Sequence, residues 1–172
     1  LSYLSRYFSS SASFYSSLYA ELYKVLLKEY GFLGDTVEAH LLQAEKLFDN
    51  IEWCEPQKDY DRFCEINKAN DSRRAVALFF VNLMKRDLVS KEHIAELVVK
   101  LQKDLKNEMT TEERAPVVEE LAELLNVLIT NMWTPDSCLN AAERQNWLSH
   151  WNEQCSVIRH NVDEIAATKA KS

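Results

Sequence analysis

The side chains that most often bind metal ions or act as nucleophiles are scattered along this sequence. Its histidines are His40, His93, His150 and His160, and its cysteines are Cys54, Cys64, Cys138 and Cys155. No two histidines stand four residues apart, as a helical zinc motif requires, and the cysteines lack the close spacing of zinc or redox sites. We therefore expect no metal site and reduced thiols, with a disulfide between Cys54 and Cys64 as the alternative.

Carboxylates are abundant, but their spacing indicates a solvated surface rather than a catalytic pair. Five of them fall on the polar side of one amphipathic segment: Glu112, Glu113, Glu119, Glu120 and Glu123. An acidic docking strip is the alternative interpretation of this segment. Because the chain has only two glycines, it cannot build a glycine-rich phosphate loop. We expect no catalytic activity and no cofactor, and a helical domain accessory to an enzyme is the alternative.

Composition and charge narrow the class of protein. A chain of 172 residues, 47% hydrophobic and 27% charged, is typical of one folded domain, here residues 1–172. Two glycines and three prolines are too few for an architecture of many short strands and tight turns. The net charge of −7 disfavours contact with phosphate backbones and anionic membranes. We therefore expect a helical protein, located in the cytoplasm. Since the chain begins with leucine rather than methionine, we also expect it to be a segment of a longer protein.

Apolar residues recur at helical spacing in the first third of the chain, after a serine-rich leader, residues 1–12. The first predicted helix ends near Gly31 and has an apolar face of Phe14, Leu18, Leu22, Val25 and Leu26. The second begins at Asp35 and has an apolar face of Val37, Leu41, Ala44, Phe48 and Ile51. Residues 54–70 contain Pro56 and scattered charge, so we expect a loop with one brief helix there.

The middle of the chain predicts two helices joined by a very short link at residues 87–90. Asp71 or Ser72 is the expected cap of the first, and its apolar residues are Val76, Phe79, Phe80, Leu83 and Met84. Ser90 is the expected cap of the second, and its apolar residues are Ile94, Leu97, Val98, Leu101 and Leu105. So short a link requires the two helices to pack antiparallel.

Two further helices complete the pattern before a fraying tail, residues 168–172. One is expected over residues 114–132, with Pro116 in its first turn. The last has a nearly heptad-like seam of Leu148, Trp151, Cys155, Ile158, Val162 and Ile165. Three successive helix pairs of about 40 residues predict an all-α fold, a HEAT-like α-solenoid of antiparallel helix pairs. A compact orthogonal bundle is the structural alternative.

The middle hairpin also resembles a known family. Residues 78–101 read LFFVNLMKRDLVSKEHIAELVVKL and follow Ser72-Arg73-Arg74. This segment resembles the middle domain of eukaryotic initiation factor 4-gamma. The shared features are a basic helix start, an aromatic and aliphatic stripe, a short turn and a final Val-Val-Lys-Leu run. Tyr19-Ala20-Glu21-Leu22 is similar to a core signature of that family. The reduced length is similar to the divergent middle domains of large DNA viruses.

The resemblance implies a non-enzymatic scaffold in translation initiation. Such a scaffold binds a DEAD-box RNA helicase of the initiation factor 4-alpha type and promotes its closed state. The residues that the resemblance places at this contact are Leu83, Met84, Lys85 and Arg86. Met84 stands where the family has an aromatic residue, and an ordinary core position is its alternative role.

The same resemblance implies two further partners. A cap-binding protein is expected to bind through neighbouring sequence of the longer protein. RNA contact is expected to be weak or missing, with Arg73 and Arg74 as its candidate residues and a solvated surface as their alternative role. An interaction module of RNA decay or nuclear export is the alternative function, because related middle domains also serve there.

Overall fold

The computed structural model describes residues 15–31, 43–110, 112–132 and 140, together with separate helical positions between 141 and 156. All regular secondary structure in these residues is helical, which confirms the all-α prediction. The predicted leader 1–12, the tail 168–172 and all six seam residues of the last helix lie outside the described part. None of the described helices combines the length and the apolar character needed to cross a bilayer.

Four helices form the described body: α1 (Ser16–Glu29), α2 (Tyr60–Met84), α3 (Lys91–Glu108) and α4 (Ala115–Met132). Two short 3-10 helices precede α2 and α4, at Lys46–Phe48 and Glu112–Arg114. Helices α3 and α4 lie where the sequence predicts them. Pro116 lies in the first turn of α4, where backbone N–H groups have no acceptor within the helix, so the N–H that proline lacks is not needed.

Helix α2 begins much earlier than its sequence pattern predicts, so the expected loop over residues 54–70 is wrong from residue 60 onward. Its cap is Asp59, whose carboxylate accepts a 2.9 Å hydrogen bond from the Arg62 N–H. Asp71 lies inside the helix and forms an ion pair with Arg74 at 3.0 Å. Between residues 60 and 74 only Ile66 is buried. Because this first part of α2 lies on the surface, its sequence has no apolar stripe that would predict a helix.

The link between α2 and α3 is short, as predicted, and it is closed by backbone hydrogen bonds. The N–H groups of Arg86, Asp87 and Leu88 donate to the Leu83 and Met84 carbonyls at 3.0 Å. Asp87 has a φ of 60°, a left-handed conformation that aspartate tolerates better than most residues. Ser90 is the cap of α3, as expected, and accepts a 3.1 Å hydrogen bond from the His93 N–H.

The core lies where α4 packs against both α2 and α3, and α1 covers another side of α2. Its largest fully buried side chains are Phe48, Phe80, Leu83, Met84, Ile94, Leu101, Leu121, Leu124, Leu125, Leu128, Met132 and Val81. Phe48 lies with its ring centroid 6.1 Å from that of Phe80, which joins the segment before α2 to the same core. Phe48 and Ile51 are buried as the sequence predicts, but the helix expected to carry both ends at Phe48. The first part of that predicted helix, up to residue 42, lies outside the described residues.

Helix α1 presents a different face to the core from the predicted one. Leu18, Leu22 and Val25 are 63%, 45% and 49% exposed, while Ala20 and Tyr23 are buried. The small side chain of Ala20 permits close approach to α2, and the Tyr23 ring meets the edge of Phe79 at 6.0 Å between centroids. The prediction counted apolar side chains and had no way to weigh these specific contacts.

Candidate partner-binding site

The first two predicted contact residues belong to the core. Leu83 and Met84 occupy the last turn of α2 and are 0% and 1% exposed. Met84 therefore fills a core position, the alternative role considered for it from sequence. Neither side chain reaches the surface in this conformation, so neither can contact a partner directly. Their packing in the core fixes the position of the turn that follows.

The next two residues, Lys85 and Arg86, are half-buried at the start of this turn. The Arg86 guanidinium donates to Glu21 and to Ser17 of α1, both at 2.8 Å, and to the Asn82 carbonyl at 3.1 Å. Arg86 thus joins the end of α2 to α1. Sequence reasoning missed this contact because Arg86 and Glu21 are 65 residues apart.

The turn over residues 85–90 is a preformed edge of the described body. The backbone N–H groups of residues 85–88 are hydrogen-bonded, and Leu88 and Val89 pack against the core. Asp87 and Ser90 are exposed on its outer side. Because both the backbone and the apolar side chains are held, this edge can meet a partner with little loss of conformational entropy.

The candidate RNA-binding residues, Arg73 and Arg74, are committed to contacts within the protein. Arg73 donates to the Leu47 carbonyl at 2.6 Å, and burial lowers the pKa of its guanidinium from the usual value. Arg74 forms ion pairs with Asp71 at 3.0 Å and with Glu120 of α4 at 3.5 Å. These two arginines therefore hold the segment before α2 and helix α4 against α2.

Glu120 departs from the prediction that the glutamates of α4 lie on a solvated face. It is buried, with 7% of its surface exposed, and its Oε1 has no hydrogen-bond partner among the residues that the structure describes. Burial raises the pKa of Glu120 above its usual value, and the nearby Arg74 and Arg73 oppose that rise. Glu119 and Glu123 are exposed, as expected.

The remaining chemistry-bearing residues were expected to form no site. Cys54 and Cys64 are free thiols, which excludes the alternative disulfide between them, and Cys138 and Cys155 lie outside the described residues. His93 contacts Glu45, and His40, His150 and His160 lie outside the described residues. The part of the chain that the structure describes contains no group of three side chains placed to hold a metal ion.

Comparison with known proteins adds no assignment. No family model matches the chain, and neither a curated protein nor a solved structure matches it.

Proposed function

We propose that this chain is a non-enzymatic scaffold of translation initiation that binds a DEAD-box RNA helicase of the initiation factor 4-alpha type. The observation that carries the proposal is the preformed edge at residues 85–90. It falls inside the segment that resembles the middle domain of initiation factor 4-gamma, at the position where the resemblance places the helicase contact. A HEAT-like solenoid, with α2 and α3 as one antiparallel pair, is part of the same proposal.

The length of α2 supports a scaffolding role. Its 25 residues form one continuous helix, which at 1.5 Å per residue spans about 37 Å. A rigid element of this length can contact both lobes of a two-lobed helicase. Such contacts favour the closed helicase only if the scaffold binds that state more tightly than the open one. Promotion of the closed state therefore requires that the chain bind the closed helicase more tightly than the open one.

The proposed partners and location follow from the same resemblance. We place the protein in the cytoplasm, with a cap-binding protein bound through neighbouring sequence. Direct RNA contact is expected to be weak, because Arg73 and Arg74 are used within the protein and the net charge is −7.

Isothermal titration of the chain with the purified helicase tests the contact. Lys85→Glu reverses a charge on the edge and should weaken binding about tenfold, or about 1.4 kcal/mol. Lys103→Glu makes the same change on an exposed position of α3 and should leave binding unaltered. Met84 is unsuitable for the test, because an aspartate there would place a charge in the core. Unchanged binding by Lys85→Glu, or no binding by the wild type, would contradict the proposal.

A further inference from the structure

We propose that a cleft between α2, α4 and the segment before α2 binds the guanidinium group of an arginine side chain from a protein partner. The cleft has a volume of about 500 Å³. Trp53 lines one part of it, and Glu119, Glu120 and Glu123 of α4 line another. The site is separate from the edge at residues 85–90 and does not require that the partner be a helicase.

The unpartnered oxygen of Glu120 is the first reason for this assignment. Glu120 is more than nine-tenths buried, and its one ion-pair contact with the described residues places Oε2 3.5 Å from Arg74. Arg74 also donates to Asp71, so its guanidinium is shared. Oε1 of Glu120 has no hydrogen bond, although a buried carboxylate normally has its oxygens paired. Glu120 lines the cleft, and rotation of its carboxyl group toward the cleft would let an entering donor supply the partner that the buried Oε1 lacks.

The charges around Glu120 select a cation. Glu119 and Glu123 are exposed and stand one helical turn apart, a spacing at which like charges repel. Neither forms an ion pair with any residue that the structure describes. Glu52, also in the cleft, is paired with Arg62. Among the described residues that line the cleft, Arg74 is the one basic side chain beside these three glutamates, so the charge disfavours an anion. The carboxylates do not converge as a metal site within the described residues.

The aromatic wall selects a guanidinium among cations. Trp53 is 39% exposed, and tryptophan offers the most favourable aromatic face to a cation. Phe63 and Ile66 also line the cleft and can pack against the methylene groups of an incoming side chain. A planar guanidinium stacks on an aromatic ring while its five N–H donors meet several carboxylates, which a compact ammonium group cannot do.

The test uses the full chain and the peptide acetyl-Gly-Arg-Gly-Arg-Gly-amide in isothermal titration. Versions with citrulline, which is neutral, or lysine in place of arginine are the comparison peptides. We expect the arginine peptide to bind and both comparison peptides to bind at least fivefold more weakly. No binding of the arginine peptide, or equal binding of the citrulline or lysine peptide, would overturn the assignment.

Variants locate the site. The double variant Glu119→Gln, Glu123→Gln should weaken the arginine peptide at least fivefold, and Trp53→Leu should weaken it about threefold. The matched control is Glu92→Gln, Glu96→Gln, which removes two exposed carboxylates one turn apart on α3. The four glutamates are exposed, so both double variants should keep the wild-type circular dichroism. Equal losses in the two double variants would show attraction to net charge alone and would overturn the site.

Discussion

The side-chain amide of Asn82 donates a 3.0 Å hydrogen bond to the Ser16 hydroxyl, and both residues are buried. Asn82 lies near the end of α2, and Ser16 is the first residue of α1. A buried amide must find a partner, and here the face of α1 that carries Ser16 supplies it. Together with the Tyr23–Phe79 contact, this hydrogen bond holds the Ser16, Ala20 and Tyr23 face of α1 against α2.

The Asn82 hydrogen bond should therefore contribute measurably to stability. Asn82→Ala leaves the Ser16 hydroxyl buried without this partner and should lower the free energy of unfolding by about 1–3 kcal/mol. Asn126→Ala, on the exposed side of α4, is the matched control and should change it by less than about 0.5 kcal/mol. Urea denaturation measures both values, and equal stabilities for the two variants would show that the hydrogen bond does not fix α1.

Two leucines test the assignment of buried and exposed faces. Leu125 of α4 is 2% exposed, so Leu125→Ala should cost about 2–5 kcal/mol through lost burial and a residual cavity. Leu18 belonged to the predicted apolar face of α1 but is 63% exposed, so Leu18→Ala should cost less than about 0.5 kcal/mol. Thermal or urea unfolding gives both numbers. A large loss for Leu18→Ala would mean that another segment covers this face.

The raised pKa of Glu120 makes stability depend on pH in a defined direction. Between its usual value of 4.5 and the raised value, the folded state binds more protons than the unfolded state. The contribution of Glu120 to stability is therefore lost as pH rises through this window. Glu120→Gln should remove that decline and be at least as stable as wild type at pH 7.

Unfolding free energies of wild type and Glu120→Gln, measured from pH 4.5 to pH 7, check this behaviour. Glu96→Gln, at an exposed site on α3, should keep the wild-type profile. If Glu120→Gln is clearly less stable than wild type at pH 7, the ion pair with Arg74 outweighs the cost of burying the carboxylate.

The sequence predicts the fold best where burial follows one clear stripe. Helices α3 and α4 have such stripes, and both lie where predicted, with Ser90 as a cap and Pro116 in the first turn. The first half of α2 could not be found in this way, since only Ile66 is buried there and the helix is supported by Asp59 and surface ion pairs.

The predicted contact residues illustrate a different limit. The sequence locates the turn after α2 correctly, but it does not separate residues that form the edge from residues beneath it. Leu83 and Met84 are buried, and Arg86 is held by Glu21 of a helix distant in sequence. Glu120 was assigned to solvent because its neighbours in sequence are exposed, whereas contacts with α2 bury it. These burials and ion pairs between distant residues form only when the helices pack together, so the sequence pattern of one helix does not predict them.

The most direct test of the proposed scaffold measures the helicase itself. Dyes on its two lobes report closure by Förster transfer, in the presence of RNA and a non-hydrolysable ATP analogue, as the chain is added. The proposal predicts that the wild type and Lys103→Glu raise the closed fraction to the same extent, and that Lys85→Glu needs about ten times more protein. A closed fraction that the saturating wild-type chain leaves unchanged would contradict it.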